Sequence, residues 1–260
     1  MLLAHFSESF KRPTFWTYAG WLDIVTKYRR SRLGIVWLLV PPLIYIWGLG
    51  AYFSTMQNIT VAAFAAHVGV GFLLFRVLMT SINDCSSVLS SQQAFILDGH
   101  TRLTDFVLLV IAKSLFYFVL ALPILAVALW AAPEVHMRGI AMALVTMPVL
   151  LANALWMGVV FSLLGARFPD VQELMGSLFI FGFVLTPIIW HADAVPAGSL
   201  QSTLMVWNPL YHLIEMVRAP ILGDRLSPLT YYYVAGLTLF GWSIAAVVYR
   251  RYARYVPLWL

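Results

Sequence analysis

Charge is what this sequence has least of. Only 10% of its 260 residues are Asp, Glu, Lys or Arg, while 62% are hydrophobic. A soluble domain carries about 25% charged residues, and a water-soluble sphere of this size could not hide so much apolar surface. The shortage excludes an ordinary soluble fold and makes lipid the natural solvent. Cysteine is nearly missing as well: Cys85 stands alone, which excludes an internal disulfide and a thiolate metal cluster. No Gly-rich phosphate loop and no nucleophile elbow occur, so neither ATP binding nor serine-type hydrolysis is written into the chain. The N-terminus does not look like a cleaved signal, because polar residues follow positions 1–3 at once.

What is present is a set of long charge-free runs. A helix needs roughly 20 apolar residues to cross the bilayer core. No charge lies between Arg32 and Arg76, nor between Lys113 and Glu134, Arg138 and Arg167, Glu173 and Asp193, or Arg225 and Arg250. The pattern predicts six spans at 33–54, 61–82, 106–131, 140–164, 171–190 and 231–249. The first contains Pro41 and Pro42, whose freed backbone partners need neighbours or a wet cavity. Short turns at Gln57-Asn58 and at Pro133-Glu134-Val135-His136 link the first and third spans to those that follow. Residues 1–13 read as a short polar lead. From Phe15 to Arg30 the pattern is amphipathic, with Phe15, Tyr18, Leu22 and Val25 on one side and Thr17, Asp23, Lys27 and Arg30 on the other. This predicts a helix lying in the membrane interface, with Trp16 and Trp21 as anchors. Residues 83–104 read as a polar loop holding one short helix. The stretch 193–224 is broken by Pro196, Gly198, Pro209 and Pro220, which predicts two short re-entrant or interfacial helices instead of a seventh span. The whole is one domain over 1–260: lead and interface helix at 1–32, five spans at 33–190, a re-entrant region at 191–229, and last span plus basic tail at 230–260.

Orientation follows from Lys/Arg bias. With the N-terminus inside, inner segments hold Lys11, Arg12, Lys27, Arg29, Arg30, Arg32, Arg102, Arg167, Arg250, Arg251 and Arg254, against Arg138, Arg218 and Arg225 outside. Both termini are expected in the cytoplasm. The net charge of +5 is explained by this topology and by anionic headgroups, without nucleic acid. No internal repeat of the secondary-transporter kind is evident.

Few residues could carry chemistry. Only His212 and Glu215 stand at a spacing that could share a helix face and a metal, and a metal site needs three or four ligands, so no metal is expected. Arg76 and Lys113 are ionisable at membrane depth. They either snorkel to the inner headgroups, form a polar lining, or pair with Asp84 or Asp105. Aromatics crowd the first span (Trp37, Tyr45, Trp47, Tyr52, Phe53) and the fifth (Phe179, Phe181, Phe183, Trp190). Such rings face lipid or belong to interfacial belts. They could also line a path for a sugar chain, since sugars stack their C–H faces on rings and meet polar ring edges. The basic run Lys27, Arg29, Arg30 and Arg32 sets topology, and its guanidinium forks could also gather a phosphate headgroup.

Four segments carry a specific resemblance. Lys27-Tyr-Arg-Arg-Ser-Arg-Leu-Gly-Ile-Val-Trp37 followed by Pro41-Pro42, Ala166-Arg-Phe-Pro-Asp-Val171, Leu185-Thr-Pro-Ile-Ile-Trp190, and Asn208-Pro-Leu-Tyr-His-Leu-Ile-Glu215 with Arg218 and Ala219-Pro220 resemble, in order, type-2 ABC exporter permeases for polysaccharides. The loop Ser91-Gln-Gln-Ala-Phe-Ile-Leu-Asp-Gly-His100 with Arg102-Leu-Thr-Asp-Phe106 is similar to the O-antigen branch and departs from the Lys/Tyr/Phe-Pro-Arg loop of capsule and teichoic-acid relatives.

The resemblance implies an all-α integral membrane protein of the bacterial inner membrane. It implies a homodimer forming a tunnel, served by two ATP-binding cassette subunits that hold ATP and Mg, with no cofactor on this chain. The cargo would be an undecaprenyl-diphosphate-linked polysaccharide. Carried over, Trp37, Tyr45, Trp47, Tyr52, Phe179, Phe183 and Trp190 are candidate tunnel residues. Lys27, Arg29, Arg30, Arg32, Gln93, Asp98 and Arg102 are candidate headgroup or ATPase contacts. Asn208, His212, Glu215 and Arg218 mark the re-entrant region. No catalytic residue is expected. Two other readings stay open: an exporter of capsule, teichoic acid, drugs, small lipids or a glycolipid, and a membrane glycosyl- or acyltransferase built on Asp98, His100 and Asp105.

Overall fold

The computed structural model describes residues 1–57, 59–133, 135–196 and 198–260, without the side chain of Gln57. Asn58 and Glu134, both expected in turns, lie outside the described residues. Those described form helices and turns and no strand. Five helices are long and apolar enough to cross a membrane: α3 (Gly34–Met56), α4 (Val61–Ser91), α6 (Leu103–Ala131), α7 (Met137–Arg167) and α11 (Pro228–Trp259). Shorter ones complete the chain: α1 (Leu2–Lys11), α2 (Thr14–Tyr28), α5 (Gln93–Leu97), α8 (Val171–Leu185), α9 (Leu200–Trp207) and α10 (Pro209–Leu222).

The centre of the bundle is α4. Of its most apolar window 83% is buried inside the protein, against 17% for α11. Small residues let its neighbours approach, as helix pairs in lipid require. A Cβ on Gly165 of α7 would fall 1.7 Å from the Ser86 carbonyl oxygen of α4. At the opposite end of α7, a Cβ on Gly139 would fall 1.8 Å from the Pro220 carbonyl oxygen of α10. Interhelical hydrogen bonds add to the contact: Ser81 with Ser114 at 2.8 Å, and Asn153 Nδ2 to Thr238 Oγ1 at 2.8 Å.

The fold corrects four expectations. First, the polar loop expected from residue 83 begins as helix, for α4 continues to Ser91. Its serines bond within their own turn, Ser86 to Asn83 O, Ser87 to Asp84 O and Ser91 to Val88 O, while Cys85, Val88 and Leu89 continue the buried face. The expected short helix is α5. Second, the lead is not a bare polar segment but α1, which buries Leu2, Phe6 and Ser9. Phe6 meets Trp242 edge-on at 5.9 Å, His5 Nδ1 bonds the Tyr249 hydroxyl at 2.9 Å, and Ser9 bonds Thr104 at 2.8 Å.

Third, the partner of Lys113 is Asp23 of α2 and not Asp84 or Asp105. On α2, Gly20 and Ile24 are buried, while Tyr18 and Leu22 are exposed. Gly20 lies against Leu109 and Lys113 of α6, and Asp23 takes the Lys113 ammonium at 3.1 Å. A cation at membrane depth needs a counter-charge. Fourth, the fifth span is not helical to Trp190. It stops at Leu185, and Thr186 is extended (φ −89°, ψ 132°), because a residue before proline is pushed out of the helical region.

Two ends of the bundle result. At one, the Gln93 side chain reaches the Leu260 carbonyl, Arg167 lies over the Trp259 ring at 5.8 Å, and Arg102 pairs with Glu8. The start of the chain, the segment after α4, the α7–α8 turn and the tail thus share this basic end. The other end carries α9, α10 and the break after Leu185.

Candidate functional site

Three helices build an aromatic groove. The first, α3, is not a uniform helix: it runs as a tight 3₁₀ segment (Gly34–Leu39), one α turn (Val40–Leu43) and a wide π turn (Ile44–Leu49). Gly34 opens it with φ +54°, a left-handed conformation that favours glycine. Prolines at 41 and 42 supply no N–H, and the altered turn widths absorb the lost bonds. The result aims Pro41 and Tyr45 at the space between α4 and α8. Helix α4 offers Phe72, Phe75, Arg76 and Met79, one stripe at helical spacing. Helix α8 offers Phe179 with Phe183, and Ile180 with Val184. Together they line an open groove with about 450 Å³ of space, inside the usual range of roughly 300–1,000 Å³ for ligand sites.

The rings touch one another in a continuous wall. Tyr45 stacks on Phe72 with centroids 4.1 Å apart and meets Phe183 edge-on at 5.8 Å. Phe75 meets Phe183 at 5.3 Å and Phe179 at 6.0 Å, both edge-on. These are the offset and T-shaped geometries that ring quadrupoles favour. The wall is held by its own contacts and still presents ring faces to the cavity. Arg76 is its one charged member, over the Tyr117 ring at 6.0 Å.

Of the expected tunnel residues, Tyr45, Phe179 and Phe183 come together here. Trp37 and Tyr52 lie on the same span but on its exposed surface, 48% and 63% accessible. Trp47 packs against the core. Trp190 lies beyond the helix end, its Nε1 donating to the Val184 carbonyl at 3.1 Å. Phe72 and Phe75 were not expected to join them, while a polar lining was one of the readings open for Arg76. Their spacing with Met79 marks a stripe, but α4 is apolar nearly all round, so sequence alone does not say which side opens on a cavity.

A second cluster braces the break in the fifth span. Non-helical backbone at membrane depth must have its polar groups satisfied by protein. Arg218, only 2% exposed, donates Nη1 to the Pro187 carbonyl at 2.5 Å and holds Glu215 through Nε at 3.2 Å and Nη2 at 2.5 Å. Asn208 donates to Thr186 Oγ1 at 2.9 Å while its Oδ1 caps the Leu210 N–H at 3.0 Å. His67 from α4 bonds the Trp190 carbonyl at 3.2 Å. Two of the four recognisable sequence segments therefore fit each other: one breaks, the other satisfies what the break exposes. His212 donates from Nε2 to the Val206 carbonyl at 2.7 Å and accepts the Thr230 hydroxyl at Nδ1, 3.0 Å away. Burial holds it below the ordinary histidine range, and it stays neutral with both nitrogens occupied. No group of three His, Cys, Asp or Glu side chains that could hold a metal occurs among the described residues.

At the basic end, Lys27, Arg29, Arg30 and Arg32 are exposed, and none makes an ion pair among the described residues. Asp98 is exposed and pairs with His100 at 3.1 Å. Asp105 is buried and caps α6 by accepting the Arg102 N–H at 3.0 Å, so it does not converge with Asp98 and His100. Arg102 and Gln93 have internal partners, Glu8 and the Leu260 carbonyl, and Gln93 stays exposed.

Comparison with known proteins follows this geometry. The sequence pattern described as ABC-2 type transporter matches residues 16–222, which spans α2 to α10. The chain is 20% identical over 234 residues to the polysialic acid transport protein KpsM of Escherichia coli, covering 88% of this chain and 89% of that one. It is 25% identical over 221 residues to the capsule polysaccharide export inner-membrane protein BexB of Haemophilus influenzae, covering 78% and 77%. It is 21% identical over 211 residues to the capsule polysaccharide export inner-membrane protein CtrC of Neisseria meningitidis serogroup A, covering 79% and 78%.

Proposed function

The chain belongs to the ABC-2 type transporter family, and on that premise we propose that it is the permease subunit of an ATP-driven exporter that moves a lipid-linked polysaccharide from cytoplasm to periplasm. The observation that carries the reading is the aromatic groove between α3, α4 and α8. Ring faces give a sliding glycan many weak contacts and no deep trap, the logic of multi-site conduction. The groove is lined on one side only, and a second copy of the chain would close it into a tunnel. ATP and Mg belong on two partner ATPase subunits. Their docking side is the basic end, where α2 leaves Tyr18 and Leu22 exposed beside Lys27, Arg29, Arg30 and Arg32.

In this reading the membrane is crossed six times. Helix α8 has 15 residues, about 22 Å at 1.5 Å per residue, short of a hydrocarbon core of roughly 30 Å. The braced segment 186–190 completes that crossing, and α9 and α10 form the re-entrant pair on the periplasmic side. Both termini are then cytoplasmic, in accord with the positive-inside rule.

Two cargoes have support. The loop 91–106 favours an undecaprenyl-diphosphate-linked O-antigen, and the names of the relatives favour a capsular polysaccharide. Disrupting the gene decides between them by which glycan leaves the cell surface and accumulates inside. Tyr45→Ala and Phe183→Ala test the groove. Each is expected to lower export several-fold while membrane insertion and assembly with the ATPase stay normal. Undiminished export in both variants would assign these rings to packing alone.

A further inference from the structure

We infer that Arg76 is an oxyanion-binding station inside the groove, engaging phosphate or carboxylate groups of the passing substrate. The inference rests on reading the groove as the substrate path and adds the charge of what travels there. Fifteen residues of α4 lie on either side of Arg76, about 22 Å each way at 1.5 Å per residue, so its Cα sits mid-helix, inside the apolar run expected to span at 61–82. A guanidinium at that depth is costly unless something compensates it.

Compensation within the chain is thin. No carboxylate lies within ion-pair distance of Arg76 among the described residues; Asp23 is already held by Lys113 at 3.1 Å. Asp84 is two helical turns further along α4, about 12 Å. One ring contact, with Tyr117, is offered. Most telling, Arg76 Nη1 is buried and has no hydrogen-bond partner. A buried donor on a charged group is expensive to leave unpaired, and guanidinium is the side chain whose fork matches phosphate and carboxylate. Arg76 is also one of the residues that line the cavity. Two turns nearer the basic end on the same stripe, Asn83 Oδ1 is also buried without a partner. Two unsatisfied polar groups on the face that carries Phe72, Phe75 and Met79 are what a site for a charged, hydroxyl-rich visitor would leave open.

The test uses the whole transporter, assembled with its ATPase in nanodiscs of neutral phosphatidylcholine. Binding is measured for oligosialic acid, undecaprenyl diphosphate and a neutral dextran oligomer. Arg76→Gln is expected to weaken the acidic probe that binds by roughly tenfold or more, as loss of charge-assisted bonds implies, and to leave dextran unchanged. Arg76→Lys, a point charge without the fork, should fall between. Loss confined to oligosialic acid places the anion on the glycan; loss confined to undecaprenyl diphosphate places it on the carrier. Either outcome supports the inference. Equal affinity of wild type and Arg76→Gln for both acidic probes overturns it. Phe183→Ala serves as the separate control: weakened dextran binding keeps the groove reading even if the Arg76 result fails, and unweakened dextran binding sinks both. Because Arg76→Gln removes an uncompensated charge, folding is not its weak point.

Discussion

Replacing Glu215 with Leu should be among the most damaging single changes outside the groove. Among the described residues, Glu215 is the only carboxylate that Arg218 meets, through two bonds at 3.2 and 2.5 Å, and Arg218 is 2% exposed. Removing one partner of a buried ion pair leaves an uncompensated charge and costs about 3–5 kcal/mol. For chains of roughly 150–250 residues, 1 kcal/mol moves Tm by about 2–4 °C, so the purified protein in detergent should melt about 6–20 °C lower. The double variant Glu215→Leu with Arg218→Met removes the charge as well and should recover most of that loss. Recovery stays incomplete, because the Pro187 carbonyl loses its donor, a cost of about 1–3 kcal/mol for a buried acceptor. Fluorescence-detected size exclusion after a heating series reads all three proteins. A single variant that melts within 2 °C of wild type (roughly the shift from 1 kcal/mol or less), or a double variant worse than Glu215→Leu, would refute the argument that this pair exists to brace the helix break.

Gly165→Ala puts a methyl group where the Ser86 carbonyl oxygen already lies, 1.7 Å from an ideal Cβ; α4 and α7 must separate, and the yield of folded protein should fall with a loss of about 1–3 kcal/mol or more. Gly236→Ala, with open space around it, should be tolerated and is the matched control. His212 carries a pH dependence. Its folded pKa lies below the ordinary value of about 6.5 because burial disfavours the charged ring. The unfolded chain therefore takes up the proton first, so this contribution is complete above about pH 6.5 and is lost as pH falls toward the folded value. Thermal melts from pH 7.5 to 5 should decline more steeply for wild type than for His212→Gln; parallel curves would remove His212 as the cause.

Much of the architecture was legible in the charge-free runs. The five long helices start within a few residues of where apolar runs begin, because lipid leaves helices little alternative. The two short helices after residue 198 were legible from Pro209 and the polar residues around it. What stayed hidden has physical reasons. Serines at 86, 87 and 91 look like loop residues, yet each bonds inside its own helical turn. Leu2 and Phe6 are too few to announce α1, which forms because Trp242, Tyr249 and Thr104 receive it. The Lys113 partner was hidden because Asp23 comes from 90 residues away. In the groove, Tyr45 and Phe183 were found through the resemblance, whereas Phe72 and Phe75 lie on a helix whose apolar residues surround it completely. Only tertiary packing decides which face of such a helix opens on a cavity.

The most direct measurement is site-specific photocrosslinking during ATP-driven export, with a photoreactive phenylalanine analogue placed in turn at Tyr45, Phe183 and Phe240. Phe240 lies on α11, is 69% exposed and is not among the residues lining the groove. Glycan attached at positions 45 and 183, dependent on ATP, with none at 240, is the result predicted for a polysaccharide that passes through the aromatic groove. Glycan attached at 240 and absent from 45 and 183 would contradict it.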